Sequence, residues 1–140
     1  MITYVDTSTL LKLVVDEPGS DVAGRIWLSA DALVSVSLIE VEARAALGVA
    51  KRSGRLSAAE HRRAVRNLRA LLDQVDVVDV TGAVVASACE LAERHGLRGY
   101  DAVHLAGARL VGSDVFTSAD VDLCRAAQRE GIAVADPLAN

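Results

Sequence analysis

The chain has 140 residues and a mass of 14.7 kDa, which suits a single domain spanning residues 1–140. Hydrophobic residues make up 51% and charged residues 24%, a composition that excludes a disordered chain. Aromatic residues make up 3%, which argues against a base-stacking platform, and the net charge of −4 argues against nucleic-acid binding through overall positive charge. No apolar run reaches the roughly 18–20 residues of a membrane helix.

Two features of the sequence indicate a cytoplasmic protein. Residues 1–6 resemble a buried strand rather than a signal peptide, because they lack a basic flank and a cleavage site. Cys89 and Cys124 fall in apolar helical patterns and lack the spacing of metal ligands, so we expect two reduced thiols in the core.

Strand and helix patterns alternate along the chain. We predict strands at residues 2–5, 33–36, 75–80, 115–117 and 132–135. We predict helices at residues 10–15 capped by Ser8, at a segment capped by Asp21, at 38–52, after a capping box at 57–60, and at 83–94, 100–111 and 120–130. This alternation predicts an α/β fold, a three-layer α/β/α sandwich around a mainly parallel sheet of about five strands. Such sheets bind ligands beyond the carboxyl ends of their strands.

Two acidic residues in the first half of the chain occupy unusual positions. Asp6 directly follows the first strand, where capping a helix and a functional role explain it about equally well. In the helix at 38–52 we predict an inward stripe of Leu38, Val41, Ala45 and Val49. Glu42 falls about 40° from Leu38 and therefore points to the core side, whereas Glu40 falls about 160° away, on the surface.

Two further acids lie in the second half. Asp101 opens a helix that is apolar nearly all round, and the helix dipole explains its position but not its burial. His104, one turn later, is interpreted as a core histidine rather than a ligand. Asp120 follows the fourth strand and by itself is best explained as a helix cap, with Asp122 and Asp114 as weaker alternatives.

Taken together, these four acids predict a divalent metal site. A parallel sheet brings such positions to one edge, where clustered carboxylates repel unless a hard cation such as Mg²⁺ or Mn²⁺ binds them. The 19 acidic residues minus these four leave 15, which equals the 15 Lys and Arg residues. The net charge of −4 thus equals the charge of these four residues.

Basic residues are concentrated between residues 44 and 69. Arg62, Arg66 and Arg69 share one helix face at spacings i, i+4 and i+7. Such a run is usually a solvated face, but beside an acidic metal site it can also contact a phosphate backbone. Thr117 and Ser118 could hydrogen-bond a carboxylate or a bound phosphate.

Four segments together resemble the PIN-domain ribonucleases, specifically the VapC-type toxins of bacterial type II toxin–antitoxin systems. The segments are residues 4–8 (YVDTS), 37–47 (SLIEVEARAAL), 100–106 (YDAVHLA) and 116–120 (FTSAD). The resemblance covers essentially the whole chain and implies a PIN-like fold. The family's acidic quartet falls on Asp6, Glu42, Asp101 and Asp120, with Glu40 and Asp122 as rivals for the second and fourth positions.

The resemblance implies an endoribonuclease that depends on Mg²⁺, with Mn²⁺ as a possible substitute. We expect Asp6 and Asp101 to hold the principal cation, and Glu42 and Asp120 to complete its shell or help hold a second ion. A bound water molecule would then attack the RNA phosphodiester. The resemblance also implies a homodimer and a cognate VapB-type antitoxin that occludes the site.

Two other functions remain open from the residues alone. A metal-dependent phosphatase or phosphoacceptor domain would also place Asp6 at a strand end, but it needs a late lysine and the chain has only Lys12 and Lys51. A non-catalytic partner-binding domain would use the acids as helix caps and the arginines as a docking face. Such a domain predicts no stabilisation by divalent metal.

Overall fold

The computed structural model describes residues 1–139. The strands are β1 (Ile2–Val5), β2 (Ala32–Val36), β3 (Val75–Val78), β4 (Val115–Thr117) and β5 (Ala133–Ala135). The helices are α1 (Thr7–Val14), α2 (Ser20–Ser29), α3 (Leu38–Arg52), α4 (Ala58–Leu72), α5 (Gly82–His95), α6 (Gly99–Leu110) and α7 (Val121–Arg129). Within this described part of the chain, no helix combines the length and the apolar character that crossing a bilayer requires.

The sheet is entirely parallel, with the strand order β3-β2-β1-β4-β5. Thr3 of β1 pairs with Leu33 of β2 on one side and with Val115 of β4 on the other. The chain adds strands in one direction from β1 to β3 and then continues on the other side with β4 and β5. The strand order therefore reverses between β1 and β4, which opens a crevice at their carboxyl ends.

Helices cover both faces of the sheet, which confirms the predicted three-layer α/β/α sandwich. On one face, α1 to α4 pack through buried residues that include Leu10, Ile39 and Leu68. On the other face, α5, α6 and α7 pack through residues that include Leu91 and Leu105. Burying both faces explains why the strands β1, β2 and β4 each contain only one Ser or Thr, which is itself buried.

Two predicted helix starts were wrong. Helix α1 begins three residues early, at Thr7, and the Ser8 hydroxyl donates to Oδ2 of Asp6 at 2.7 Å instead of capping the helix. Helix α2 begins after Gly19, whose φ of 90° makes the turn. Asp21 lies inside its first turn, 3.6 Å from Arg25.

The predicted inward stripe of α3 was also wrong. Val41 is 60% exposed and Val49 is 49% exposed, and the buried residues are instead Ile39, Ala43, Leu47 and Ala50. The predicted and the observed buried residues both have helical spacing, so spacing alone allows either face of α3 to be buried. The face with the small alanines packs closely on α1 and α4, and this packing determines which face is buried. Glu42 lies at the border of the buried face, with its side chain 23% exposed.

Local signals elsewhere were confirmed. The side chains of Ser57 and Glu60 form the capping box of α4, Thr81 caps α5 by accepting from the backbone of Val84, and Gly96 ends α5 with a φ of 64°. Of the two free cysteines, Cys124 is buried and Cys89 is exposed, so the expectation of a second core thiol was wrong.

Candidate active site

Asp6 lies at the carboxyl end of β1, beside the end of β4. Its backbone N–H donates to the carbonyl oxygen of Thr117 at 3.0 Å, which joins the two strand ends. Its side chain is buried, and its Oδ2 accepts hydrogen bonds from the hydroxyls of Ser8 at 2.7 Å and Ser118 at 2.8 Å. Asp6 is thus held in one orientation in the crevice where the strand order reverses.

Glu42, in the second turn of α3, faces a fully buried histidine. Its Oε1 lies 2.5 Å from Nε2 of His104 and accepts a hydrogen bond from the Thr7 hydroxyl at 3.0 Å. The other ring nitrogen of His104, Nδ1, lies 2.8 Å from the hydroxyl of Tyr4 in β1. Nε2 also lies 3.7 Å from Oδ1 of Asp6, so one imidazole faces two of the four carboxylates.

Glu42 and His104 each stabilise the charged form of the other. Burial raises the pKa of Glu42, but the hydrogen bond and charge of His104 and the Thr7 hydroxyl outweigh burial, so the pKa is lowered. Burial lowers the pKa of His104, but the hydrogen bond to Glu42 and the nearby carboxylates outweigh it, so the pKa is raised. These opposite shifts favour an ion pair between the part-buried Glu42 and the buried His104.

Asp101 and Asp120 both contact the guanidinium of Arg98, on the more exposed side of the site. Asp101 lies in the first turn of α6, and its Oδ2 is 3.2 Å from Nε of Arg98. Asp120 is the N-cap of α7, where its Oδ1 accepts from the backbone of Leu123 at 3.0 Å. Its Oδ2 lies 3.6 Å from Nη2 of Arg98.

The pKa of Asp101 is raised above its ordinary value, chiefly because the carboxylate is half-buried. Burial raises this pKa, and the negative charges of Asp6 and Asp120 raise it further. The hydrogen bond and charge of Arg98 lower it but do not prevail. Asp101 is thus a carboxylate whose ionisation would be favoured by an additional cation.

The donor set therefore suits a hard divalent cation in its chemistry, because it consists of carboxylate oxygens that repel one another. Within residues 1–139, no three His, Cys, Asp or Glu side chains are arranged as ready metal ligands. Protein cations stand between the carboxylates instead: His104 faces Asp6 and Glu42, and Arg98 faces Asp101 and Asp120.

The remaining predicted site residues fall in three places. The Thr117 side chain is buried and bonds the Thr9 hydroxyl, and Ser118 is buried against Asp6, so the structure does not favour RNA contacts for either. The side chains of Arg62, Arg66 and Arg69 are exposed on α4. Of the rivals, Glu40 is exposed on α3 and Asp122 is exposed on α7.

Sequence reasoning missed Arg98 and undervalued His104. The position of Arg98, three residues before Asp101, could have suggested an ion pair in the first turn of α6. His104 was expected to be a satisfied core histidine and is one, but its partners include two site carboxylates. Neither lysine reaches the site: Nζ of Lys12 binds Glu17 and the carbonyl of Pro18, and Lys51 is exposed at the end of α3.

Comparison with known proteins gives consistent matches over most of the chain. A sequence model of the PIN domain matches residues 3–129. Ribonuclease VapC45 of Mycobacterium tuberculosis is 40% identical over 111 residues, covering 79% of this chain and 77% of the relative.

Solved structures share the fold at lower identity. The crystal structure of PAE2754 from Pyrobaculum aerophilum has a TM-score of 0.75 at 23% identity, covering 98% of this chain and 84% of that chain. VapBC2 from Rickettsia felis, bound to a DNA fragment from its promoter, has a TM-score of 0.68 at 12% identity, covering 97% and 98%.

Proposed function

This chain belongs to the PIN-domain family, among the VapC-type ribonuclease toxins, and we propose that it hydrolyses RNA phosphodiester bonds with a divalent cation, Mg²⁺ or Mn²⁺. Four carboxylates would hold the cation. They are Asp6, Glu42, Asp101 and Asp120.

One observation supports the proposal: the four carboxylates come from separate elements and form two pairs, one around His104 and one around Arg98. Asp6 and Glu42 both face His104, Asp101 and Asp120 both face Arg98, and the charges of Asp6 and Asp120 raise the pKa of Asp101. A set of separate helix caps would not require this convergence, because each cap acts within its own first turn.

The four carboxylates would have different roles in the reaction. Asp6 and Asp101 would hold the principal cation, with Asp6 oriented by the hydroxyls of Ser8 and Ser118. Glu42 and Asp120 would complete its shell through water or help to hold a second ion. When bound, a divalent cation supplies a water of lowered pKa and stabilises negative charge on the leaving oxygen.

The RNA would contact basic residues outside the carboxylate site. Arg62, Arg66 and Arg69 lie exposed on α4, and no ion pair engages their guanidinium groups within residues 1–139. Free guanidinium groups on one helix face can bind successive phosphates of a strand. This local surface removes the objection that a net charge of −4 poses to RNA binding.

We propose a cognate VapB-type antitoxin and a second copy of the chain as partners. The VapBC2 structure from Rickettsia felis has this fold over 97% of the present chain. An antitoxin that covers the carboxylate site would inhibit the toxin by excluding RNA. The homodimer rests on the resemblance to the family.

Substitution of the two principal ligands tests the proposed reaction. Asp6→Asn and Asp101→Asn are each expected to fold normally and to lose metal-dependent RNA cleavage by about three orders of magnitude, since metal catalysis is worth several kcal/mol. The measurement is the rate of cleavage of a fluorescent single-stranded RNA with Mg²⁺ or Mn²⁺.

The matched control is Asp21→Asn, which changes an exposed carboxylate paired with Arg25 on α2. It should cleave RNA like the wild type. Retained activity in the purified Asp101→Asn protein would refute the role of that residue. Turnover of a chromogenic phosphate monoester in place of RNA would favour the phosphatase alternative.

A further inference from the structure

Arg98 is placed between solvent and the two outer carboxylates. It is the N-cap residue of α6, and its side chain is 82% exposed, whereas those of Asp101 and Asp120 are 20% and 31% exposed. Its guanidinium contacts Oδ2 of Asp101 at 3.2 Å and Oδ2 of Asp120 at 3.6 Å. The positive charge therefore covers the outer side of the carboxylate site.

Arg98 contacts one oxygen of each outer carboxylate, and in Asp120 this is the oxygen left over from helix capping. Oδ1 of Asp120 is already engaged, because it accepts from the backbone N–H of Leu123 as the helix cap. Its Oδ2 faces Arg98. A cation that used the uncapped oxygen of Asp120 would meet the guanidinium there, and two positive charges at this distance repel. Arg98 and a divalent cation thus compete for the same carboxylate oxygens.

We propose that Arg98 is a displaceable counter-cation that a divalent metal releases to bind an RNA phosphate. This proposal rests on the proposed function. In the metal-free protein, Arg98 compensates Asp101 and Asp120. When the metal takes their oxygens, the guanidinium turns outward at the mouth of the site and contacts the phosphate backbone of the substrate.

The energetics permit this exchange. An ion pair with an exposed arginine contributes little, so little is lost when Arg98 leaves the carboxylates. The guanidinium can donate two parallel hydrogen bonds to a phosphate, as it can to a carboxylate. The exposed stem of Arg98 can move without disturbing the core.

The surface beside Arg98 carries further positive charge. Gly96, two residues earlier, borders a cavity of about 300 Å³ between the end of α5 and helix α7. Arg125 and Arg129 line this cavity together with one acid, Asp122, and the exposed arginines lie four residues apart on α7. With two arginines and one acid, the lining of this cavity is net positive.

Titration of Mn²⁺ into the metal-free protein, without RNA, tests the competition. Arg98→Gln should bind Mn²⁺ about five- to tenfold more tightly than the wild type, because it removes one positive charge a few ångströms from the ion. Arg98→Lys, which keeps the charge, should bind close to the wild type. Arg94→Gln is the matched control, since Arg94 pairs with Glu130, which retains His95 and Arg109.

RNA cleavage at saturating Mn²⁺ tests the second role. Arg98→Gln should raise KM about tenfold with little change in kcat, and Arg98→Lys should fall between it and the wild type because lysine lacks the planar fork. Equal Mn²⁺ affinities of the wild type and Arg98→Gln would overturn the competition. An unchanged KM would overturn the phosphate contact. A wild type that neither binds Mn²⁺ nor cleaves RNA would overturn the proposed function itself.

Discussion

His104 links two carboxylates of the site to the core. It has no exposed surface, and its two ring nitrogens reach Tyr4 of β1 and Glu42 of α3. A buried imidazole with hydrogen-bonding partners at both nitrogens has a fixed ring orientation. His104 thereby fixes the direction of Glu42 toward the crevice that contains Asp6.

The ion pair of Glu42 and His104 predicts a defined pH dependence of stability. The pKa of Glu42 is lowered from 4.5, so its contribution is present above pH 4.5 and is lost as the pH falls through the lowered value. The pKa of His104 is raised from 6.5, so its contribution is present below pH 6.5 and is lost as the pH rises through the raised value. The pair stabilises the metal-free protein most between these two values.

Glu42→Gln should therefore lower the free energy of unfolding by about 1.5–3 kcal/mol near pH 5.5, and by less at pH 8.5. Chemical denaturation in EDTA at both pH values measures the difference. Glu40→Gln is the control, since Glu40 is exposed on the same helix. A loss that is the same at both pH values would contradict the assignment of an ion pair.

At the scale of the element, α6 and its N-cap carry three residues of the site, and the helix packs against the sheet at Gly107. It presents Asp101 and His104 one turn apart, with Arg98 at its N-cap. Gly107 permits the approach, because a Cβ there would lie 2.6 Å from Cγ1 of Val36 and 3.2 Å from the hydroxyl of Tyr4. Because Gly107 has no side chain, α6 can lie close enough to β1 to bring Asp101 and His104 near Asp6.

Gly107→Ala is expected to destabilise the fold by about 1–3 kcal/mol and to reduce RNA cleavage, because α6 must shift away from the sheet. Thermal unfolding and the cleavage rate are the measurements. In the same helix, Gly99→Ala is the control: a Cβ there meets no atom within 4 Å, and the change should stabilise the helix slightly. A Gly107→Ala protein with the melting temperature of the wild type would contradict the packing argument.

At the scale of the whole molecule, acidic charge collects at one edge of the sheet. Counted with neutral histidines, the net charge of −4 equals the charge of the four site carboxylates, and His104 and Arg98 are the protein groups that face them. Because a divalent cation would relieve this repulsion in the folded state, binding should stabilise the fold.

Mn²⁺ at about 100 times its dissociation constant should add about 2.7 kcal/mol, which raises the melting temperature by roughly 6–12 °C for a domain of this size. Thermal unfolding with Mn²⁺ and with NaCl of matched ionic strength measures the shift. The Asp6→Asn/Asp101→Asn double variant should show little of it. Equal melting temperatures of the wild type with and without Mn²⁺ would favour a non-catalytic, partner-binding domain.

The sequence by itself determined the local elements and the class of fold. Helix α3 at 38–52 and strand β4 at 115–117 have their predicted bounds, and the capping box at Ser57 formed as predicted. These features depend on interactions within one or two turns or on the alternation of strands and helices. The four carboxylates were also identified as candidate site residues from the sequence, and their role as metal ligands stays a prediction.

Only the tertiary structure decided which side chains meet. The buried face of α3, the contact of His104 with Glu42 and the hydrogen bond from Ser118 to Asp6 join residues from separate elements. Periodicity allows several helix phases, and a histidine on an apolar face can have many partners. Close packing of α6 at Gly107 and of α3 on α1 selects one arrangement, because protein interiors leave no room for the others.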